Sequence, residues 1–343
     1  MQPYRALAVA RAAATIVEGR LRVGSVHSVF HGAANIWISP DLLLAITGPK
    51  TTRVPNGIVV DSAQAQGEGF LNLHVDMVVR AGHECVDITA AGLRIDIAGS
   101  PRWDPRPRFP SRSLPPTELE RNLNRLDGLI RQDAGDKPWS FASLLDPSVD
   151  LAQETRAPSQ GEEAQRALLA QRARPAVTAL LGAVKEGETD RISAAARRLA
   201  GLGRGLTPSG DDFLIGVCGA IVLADAMLLV SRKEASSSVA SGQDRVLAIA
   251  VAADQTTLLS GAWLRHAAHG EFGSEVGRVL IALADGNATD LHGAITKLLA
   301  VGGVSGLDTA TGLLYGTRAM LSSPTSLLRV DQGSTRQGSN KFE

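Results

Sequence analysis

The chain has 343 residues, a length that favours two domains, and its 35 lysines and arginines equal its 35 aspartates and glutamates in number. Because the formal net charge is zero, no general field exists to attract nucleic acid or an anionic membrane surface, and both classes of partner are disfavoured. Hydrophobic residues make up 44% of the chain but aromatic residues only 4%, so we expect a core of small aliphatic side chains that lets helices approach closely.

The two cysteines, Cys85 and Cys218, are far apart in sequence and form no CxxC motif. The sequence therefore predicts neither a disulfide framework nor a thiolate metal site, and it favours the reducing cytoplasm. The apolar N-terminus is interrupted by Arg11 and is followed by no cleavage region, which predicts an amphipathic helix rather than a signal peptide.

One apolar stretch, 213–231, is long enough to be tested as a membrane span. Asp225 lies near its middle, and Asp211 and Asp212 lie directly before it. Because charged groups at such positions are costly in lipid, the pattern favours a buried helix of a soluble protein.

Short apolar or alternating segments, separated by Gly, Pro, Asn and Asp, occupy the chain from Leu21 to about Ile97. Segments with such turn signals are typical of strands, and we predict a small β-sheet or barrel domain over residues 1–100. The predicted strands are 21–30, 35–38, 42–47, 57–60, 71–79, 84–88 and 93–97.

A segment with six prolines, 101–117, follows and is interpreted as a linker, because prolines exclude both a helix and a central strand. Beyond it, apolar residues recur at spacings of three and four, which predicts a larger, mostly α-helical domain over 118–330 and hence an α+β protein. The polar tail, 331–343, offers nothing to bury and is predicted to be disordered. The predicted helices include 162–173, 176–186, 190–200, 212–230, 260–269, 289–300 and 307–321.

The densest chemical signal is the segment GLGRGLTPSGDDFLIG, residues 201–216. Gly201 suits the left-handed C-cap of one helix, and Gly203 and Gly205 allow a tight turn without a Cβ penalty. Thr207 then suits the N-cap of the next helix, with Pro208 at its first position. Such a turn leaves backbone N–H groups free in front of a helix dipole, so we predict an anion site.

Side chains within this turn indicate the chemistry of the ligand. Ser209 adds a hydroxyl next to Gly210, and Arg204 either adds charge to a bound anion or points to solvent. Asp211 and Asp212 repel an anion unless a carboxylate binds a cation or the N–H donors of the ligand. We therefore predict a ligand with an anionic oxygen on the amides and an amide or ureido NH₂, or Mg²⁺, on a carboxylate, with both aspartates as catalytic candidates.

The spacing S-G-x-D-x-x-x-G occurs twice, beginning at Ser209 and at Ser305, and it gives Asp212 and Asp308 equivalent positions. Two such helix starts can face each other across one ligand, and we predict that they lie close together. The alternative is a pair of ordinary helix caps whose glycines allow close packing. On the first interpretation Ser305, Gly306 and Asp308 are further ligand-binding candidates.

A third helix start lies near Ser260, which fits an N-cap, and Thr257 just upstream is predicted to line the same pocket. His27 and His31 have no third ligand and no HExxH motif, so no metal site is predicted there. Asn35 and His27 are instead expected to edge a cleft between the two domains. The sequence contains no Walker motif, dinucleotide fingerprint or G-x-S-x-G elbow.

Four segments of the chain together resemble the AllH-like family: GLGRGLTPSGDDFLIG, TTLLSGAWLRHAAHGEF, GGVSGLDTATGLLYG and the early VHSVFHGAANI. The resemblance runs in order from about Gly24 to Leu321, and its first segment is the most specific. It implies a subunit of a three-component oxamate carbamoyltransferase in allantoin degradation, a part of purine catabolism. Gly303 and Val304 stand where polar residues are expected before the second motif, which leaves the acceptor open.

By this resemblance, the complex converts oxalurate and phosphate to oxamate and carbamoyl phosphate, which a carbamate kinase then uses to make ATP. The implied partners are an acyl-CoA-synthetase-like subunit and a third subunit. The sequence supplies no evident nucleophile with an adjacent base, so the alternative is a non-catalytic subunit that binds a small anion or scaffolds the catalytic partners. Carbamoyl transfer that relies on positioning and charge stabilisation needs no such nucleophile.

Overall fold

A computed structural model describes residues 2–39, 42–61, 70–111, 114–146, 161–231 and 240–322 of the chain. It confirms the predicted fold class, since a β-barrel comes first and a helical region follows. The predicted C-terminal tail, 331–343, lies outside the described residues.

The N-terminal part is a barrel of eight strands. Its strand order is β5-β4-β3-β2-β6-β7-β8-β1, and antiparallel pairing of β1 with β5 closes it. A short ninth strand, β9, runs parallel to β1, and one helix, α1 (Arg11–Glu18), connects β1 to β2. The strands are β1 (Gln2–Ala10), β2 (Arg22–Phe30), β3 (Ala33–Ser39), β4 (Leu42–Thr47), β5 (Gly57–Val60), β6 (Val78–Gly82), β7 (Cys85–Ile88), β8 (Leu93–Asp96) and β9 (Arg102–Trp103).

Two sequence predictions for the barrel are wrong. The N-terminus is strand β1 before it is helix, because Ala6 and Ala8 are buried while Leu7 between them is 43% exposed, a period of two. The predicted strand 71–79 begins only at Val78, because the chain before it turns with positive φ at residues that include Asn72 (+53°) and Asp76 (+69°).

The helical region starts with α2 (Pro116–Ala134). Two of its long helices, α6 (Ser209–Ser231) and α11 (Ser305–Leu321), pack against each other at its centre. The two helices predicted on either side of Pro175 are one continuous helix, α4. No helix in the described part of the chain is long and apolar enough to cross a membrane. The helices are α2 (Pro116–Ala134), α3 (Phe141–Leu144), α4 (Glu162–Glu186), α5 (Thr189–Leu199), α6 (Ser209–Ser231), α7 (Gly242–Ala250), α8 (Leu258–Ala268), α9 (Ser274–Asp285), α10 (Ala288–Leu299) and α11 (Ser305–Leu321).

Each region has its own hydrophobic core, and the two regions are joined by backbone contacts. The Arg53 N–H donates to Ser274 Oγ at 3.2 Å, and the Ser274 N–H donates back to the Arg53 carbonyl oxygen at 2.9 Å. The Phe272 N–H donates to the Pro105 carbonyl oxygen at 3.0 Å. These bonds hold the loop after β4 against the start of α9, beside an open cleft.

Candidate functional site

The starts of α6 and α11 meet, as the repeated motif predicts. Thr207 Oγ1 lies 2.8 Å from Ser305 Oγ, so the two glycine turns share a hydrogen bond. Helix α6 begins at Ser209, two residues after Thr207, and the Thr207 hydroxyl is directed to Ser305. The two helix starts therefore form one structural unit.

The two motif copies are related by reciprocal contacts. A Cβ on Gly216 would collide with the Thr309 carbonyl oxygen, and a Cβ on Gly312 would collide with the Phe213 carbonyl oxygen. Each of these carbonyls belongs to the residue that follows the motif aspartate of the other helix. The glycines therefore let α6 and α11 cross at backbone contact in a pseudo-twofold arrangement, which confirms the expected close approach of helices.

The second glycine of each motif serves the same arrangement. A Cβ on Gly210 would collide with the Leu199 carbonyl oxygen at the end of α5, and a Cβ on Gly306 with the Leu298 carbonyl oxygen near the end of α10. Helices α5 and α6, with their connecting turn, therefore match α10 and α11 with theirs. The structure supports the internal repeat that four matching positions only suggest.

The motif side chains cross over between the two helices. The Ser305 hydroxyl lies beside the Asp212 carboxyl group, and the Ser209 hydroxyl lies beside the Asp308 carboxyl group, each lowering the pKa of its neighbour. Both carboxyl groups are buried, at 3% exposure for Asp212 and 0% for Asp308. Two buried carboxyl groups thus lie close enough for the charge of Asp308 to influence Asp212.

The two carboxyl groups differ in their remaining partners. Asp308 Oδ1 accepts the Phe141 N–H at 2.6 Å, and the described residues offer Asp212 no such backbone donor. Oδ2 of both carboxyl groups is enclosed with no hydrogen-bond partner among the described residues. Burial raises the pKa of Asp308 to about 7, against the opposing effects of Ser209, the Phe141 N–H and Lys137. Burial, followed by the charge of Asp308, raises the pKa of Asp212 well above its usual range.

Asp211 has a different role from its neighbour. Its carboxylate accepts the Gly201 N–H at 2.9 Å and the Thr256 hydroxyl, and burial raises its pKa. Asp211 therefore links the start of the glycine turn, at Gly201, to the loop before α8. Consecutive residues on a helix point about 100° apart, which is why Asp211 and Asp212 face different neighbours.

Thr257 belongs to the same support. Its hydroxyl donates to the Leu206 carbonyl oxygen at 2.6 Å and accepts the Ser260 N–H at 3.2 Å, so Thr257 caps α8. Ser260, which the sequence predicts as that cap, lies inside the helix and is fully buried.

The remaining residues of the first turn set its shape. Gly203 has φ +133°, and a Cβ there would lie 2.6 Å from the Ser209 nitrogen, so only glycine fits. Gly205 has φ +86°. The Arg204 guanidinium stacks 3.4 Å from the centre of the Trp139 ring and donates to Gln165, and Arg204 is not among the residues that line the cleft described below.

A cleft of about 1010 Å³ opens between the barrel and the helix starts, and we call it the interdomain cleft. Four predicted site residues line it: Thr207, Asp212, Ser305 and Gly306. Asn35 also lines it, as expected from the sequence, but His27 and Thr257, also expected there, are not among its lining residues. The other walls come from Thr47 at the end of β4, the loop after β4 (49–55), the turn 300–303, Trp263 and the start of α9.

Two family models match the chain. A model described as oxamate carbamoyltransferase subunit AllH matches residues 199–317, and a model of the AllH family N-terminal domain matches residues 5–102. The chain belongs to the AllH family. No curated protein and no solved structure matches it. The two AllH matches cover the barrel, both glycine turns and the helices they start, which are the parts that form the cleft.

Sequence reasoning missed several residues of the cleft of this AllH family member. Lys50, Arg53 and Lys297 line it and have no ion-pair partner among the described residues. Thr47 Oγ1 and Trp263 Nε1 are buried at its walls without a hydrogen-bond partner in the described part of the chain. The run KTTR directly after a buried strand was the signal available for the first two cations.

The described acidic side chains do not come together in the number that a metal site needs. Among the described residues, no group of three or more His, Cys, Asp or Glu side chains is arranged to hold a metal ion. Mg²⁺ prefers six oxygen ligands, and Asp212 with the Thr207 and Ser305 hydroxyls offers three at most. The AllH family site therefore offers a metal few protein ligands, but it offers a small polar ligand many hydrogen bonds.

Proposed function

We propose that this chain is a subunit of an oxamate carbamoyltransferase. The enzyme catalyses the reaction of phosphate with oxalurate or with a related N-carbamoyl compound. A phosphate oxygen attacks the carbamoyl carbon, the bond from that carbon to the amide nitrogen breaks, and the products are carbamoyl phosphate and oxamate. Membership of the AllH family supports the role of a carbamoyltransferase subunit.

The observation that carries this proposal is the difference between the two equivalent aspartates. At Asp308 the carboxyl group accepts a backbone amide N–H, that of Phe141, at 2.6 Å. Oδ2 is unpaired in both carboxyl groups, but Asp212 receives no backbone N–H from the described residues and is the aspartate that lines the cleft. A buried polar atom left unpaired is costly, so Asp212 suits a ligand that brings the same kind of donor, an amide or ureido N–H.

The rest of the cleft suits the anionic parts of the two reactants. Lys50, Arg53 and Lys297 carry positive charge that no described carboxylate neutralises. The Thr207 and Ser305 hydroxyls at the helix starts are further donors for phosphate and carboxylate oxygens. Several N–H groups that the sequence predicts to be free for an anion are engaged instead, since Gly201 donates to Asp211 and Gly210 donates to the Leu202 carbonyl oxygen. Catalysis then rests on holding the two anions together and stabilising the charge of the transition state.

The partners and setting follow from the same proposal. The chain works with an acyl-CoA-synthetase-like subunit and a third subunit in the cytoplasm, in purine catabolism, and its carbamoyl phosphate is used by a carbamate kinase. Nucleic acid and membrane play no part in it.

The test is an assay of the purified chain with its partner subunits, supplied with oxalurate and phosphate and scored for carbamoyl phosphate. We expect Asp212→Asn to abolish the product and Asp254→Asn, whose side chain is 82% exposed, to leave it unchanged. A complex that needs the chain but works at full rate with Asp212→Asn would instead support the alternative, a scaffolding or small-anion-binding subunit.

A further inference from the structure

The proposed reaction has a demand that binding alone does not meet. When the bond between the carbamoyl carbon and the amide nitrogen breaks, the electron pair goes to nitrogen, and an amide anion is a very poor leaving group. A proton must reach that nitrogen as the bond breaks. The attacking HPO₄²⁻ releases one proton when it forms carbamoyl phosphate. The protons therefore balance if a single group protonates the leaving nitrogen and then takes up the proton that the phosphate releases.

Resting on the proposed function, we infer that Asp212 is the catalytic residue that protonates the leaving nitrogen and that Asp308 is the positioning residue that makes Asp212 a proton donor. In this step one oxygen of the Asp212 carboxyl group gives its proton to the leaving nitrogen as the carbon–nitrogen bond breaks and the phosphate oxygen forms its bond to carbon. The carboxylate left behind takes the phosphate proton, and its other oxygen accepts the terminal ureido N–H throughout.

The geometry decides which carboxyl group carries the proton. Asp308 Oδ1 accepts the Phe141 N–H, and the charge of Lys137 also favours its ionised form. Asp212 has neither a backbone donor nor a cation of that kind; its influential neighbours are the acids Asp308 and Asp211 and two hydroxyl groups. Negative charge therefore collects on Asp308 and the proton on Asp212.

Position makes the same distinction. Asp212 borders the cleft, whereas Asp308 is fully buried and closed off by the Phe141 amide at the start of α3. The charged and titratable groups that line the cleft around Asp212 come from four other elements: the turn between β2 and β3, the loop after β4, α10, and α9 with the residues before it. They are His31, Lys50, Arg53, Lys297, Glu271, Glu275 and Arg278. Of the two acidic groups, Glu271 is engaged with His266 at 2.7 Å and Glu275 with Ser274 at 2.6 Å, so Asp212 is the carboxyl group left for proton transfer.

Two substitutions should move the pH dependence of the reaction in opposite directions. Asp308→Asn keeps an oxygen for the Phe141 N–H but removes a charge that raises the pKa of Asp212, so the loss of kcat at high pH should begin at a lower pH. Ser305→Ala removes a hydroxyl that lowers this pKa, so that loss should begin at a higher pH. A purely structural role predicts lower thermal stability in either variant and no displacement of the pH profile.

The experiment measures kcat and KM of the reconstituted complex against pH for the wild type, Asp308→Asn, Ser305→Ala and Asp212→Asn, with melting temperatures to verify folding. We expect opposite displacements for the first two variants and, for Asp212→Asn, a kcat reduced by about 10²- to 10⁴-fold with little change in the KM for phosphate. Unchanged pH profiles, or an effect of Asp212→Asn on KM alone, would overturn the inference while the proposed function stands. A wild-type complex that forms no carbamoyl phosphate would overturn both.

Discussion

The crossing of α6 and α11 provides a sharp test of how the site is built, because two glycines of the same helix face different surroundings. A Cβ on Gly216 would collide with the Thr309 carbonyl oxygen and lie 2.7 Å from the Leu313 nitrogen, both backbone atoms. A Cβ on Gly219, one turn later, would lie 3.5 Å from Leu280 Cδ2, an ordinary van der Waals contact. Gly216→Ala and Gly219→Ala therefore form a matched pair.

The magnitudes follow from two opposing effects. Replacing glycine by alanine inside a helix gains about 1 kcal/mol of helix propensity at either position. At Gly216 the new methyl group also forces two backbones apart, and such overpacking costs about 3 kcal/mol where no side chain can yield. We expect Gly216→Ala to lower the free energy of unfolding by about 2 kcal/mol and Gly219→Ala to raise it by about 1 kcal/mol.

Thermal unfolding of the two variants beside the wild type is the assay. At about 2 to 4 °C per kcal/mol for a domain of this size, Gly216→Ala should melt about 4 to 8 °C below the wild type and Gly219→Ala about 2 to 4 °C above it. Equal melting temperatures for the two variants would refute the reasoning, since it requires the contact at Gly216 to outweigh the shared gain in propensity.

Three further outcomes are expected. Thr47→Val and Trp263→Phe, which remove unpaired buried polar atoms, should leave thermal stability unchanged or higher, and a clear loss would mean that these atoms have partners. Asp308 keeps its proton up to about pH 7 when folded but only to about pH 4 when unfolded, so unfolding releases a proton in that window and stability falls as pH rises. In denaturant titrations, the free energy of unfolding of Asp308→Asn should therefore rise relative to that of the wild type as the pH is raised from 4 to 7. A difference between the two proteins that stays constant over this range would contradict the raised pKa of Asp308. Thr207→Val, which removes a hydroxyl that lines the cleft, should weaken phosphate binding by about 1.5 to 3 kcal/mol in calorimetric titrations, whereas stability lost without binding lost would mark the turn as a simple cap. The Ser209 hydroxyl, expected from the sequence to bind the anion, is instead buried beside Asp308.

Local patterns predicted most of the barrel and the pairing of the helix starts. Segments such as 42–47 and 57–60 are apolar and bounded by turn residues, so their limits can be read from sequence and agree with β4 and β5. The repeated S-G-x-D spacing predicted that Ser209 and Ser305 start helices that meet, because glycines at fixed offsets allow backbones to approach.

Features that depend on tertiary closure were not predictable in this way. Strand β1 and helix α1 follow each other without a glycine or proline between them, and only the need to close the barrel between β5 and β8 separates strand from helix at Arg11. Pro175 predicted a break, yet α4 continues through it. Arg204 could be placed only once Trp139, distant in sequence, was known to lie beneath it.

The candidate site shows the same division. Asp211 and Asp212 are equivalent by residue type, and only their packing against α8 and α11 respectively assigns one to the support and the other to the cleft. Lys50 and Lys297 lie on different domains and meet at one cleft only after folding. Sequence therefore identified the motif at the base of the site, and the fold supplied its charged walls.

A crystal structure of the chain with oxamate and phosphate bound tests the central claim most directly. The account predicts oxamate in the interdomain cleft with its amide nitrogen within hydrogen-bond distance of Asp212, and phosphate next to it near the Thr207 and Ser305 hydroxyls. Both ligands bound elsewhere on the molecule, with the cleft left empty, would contradict it.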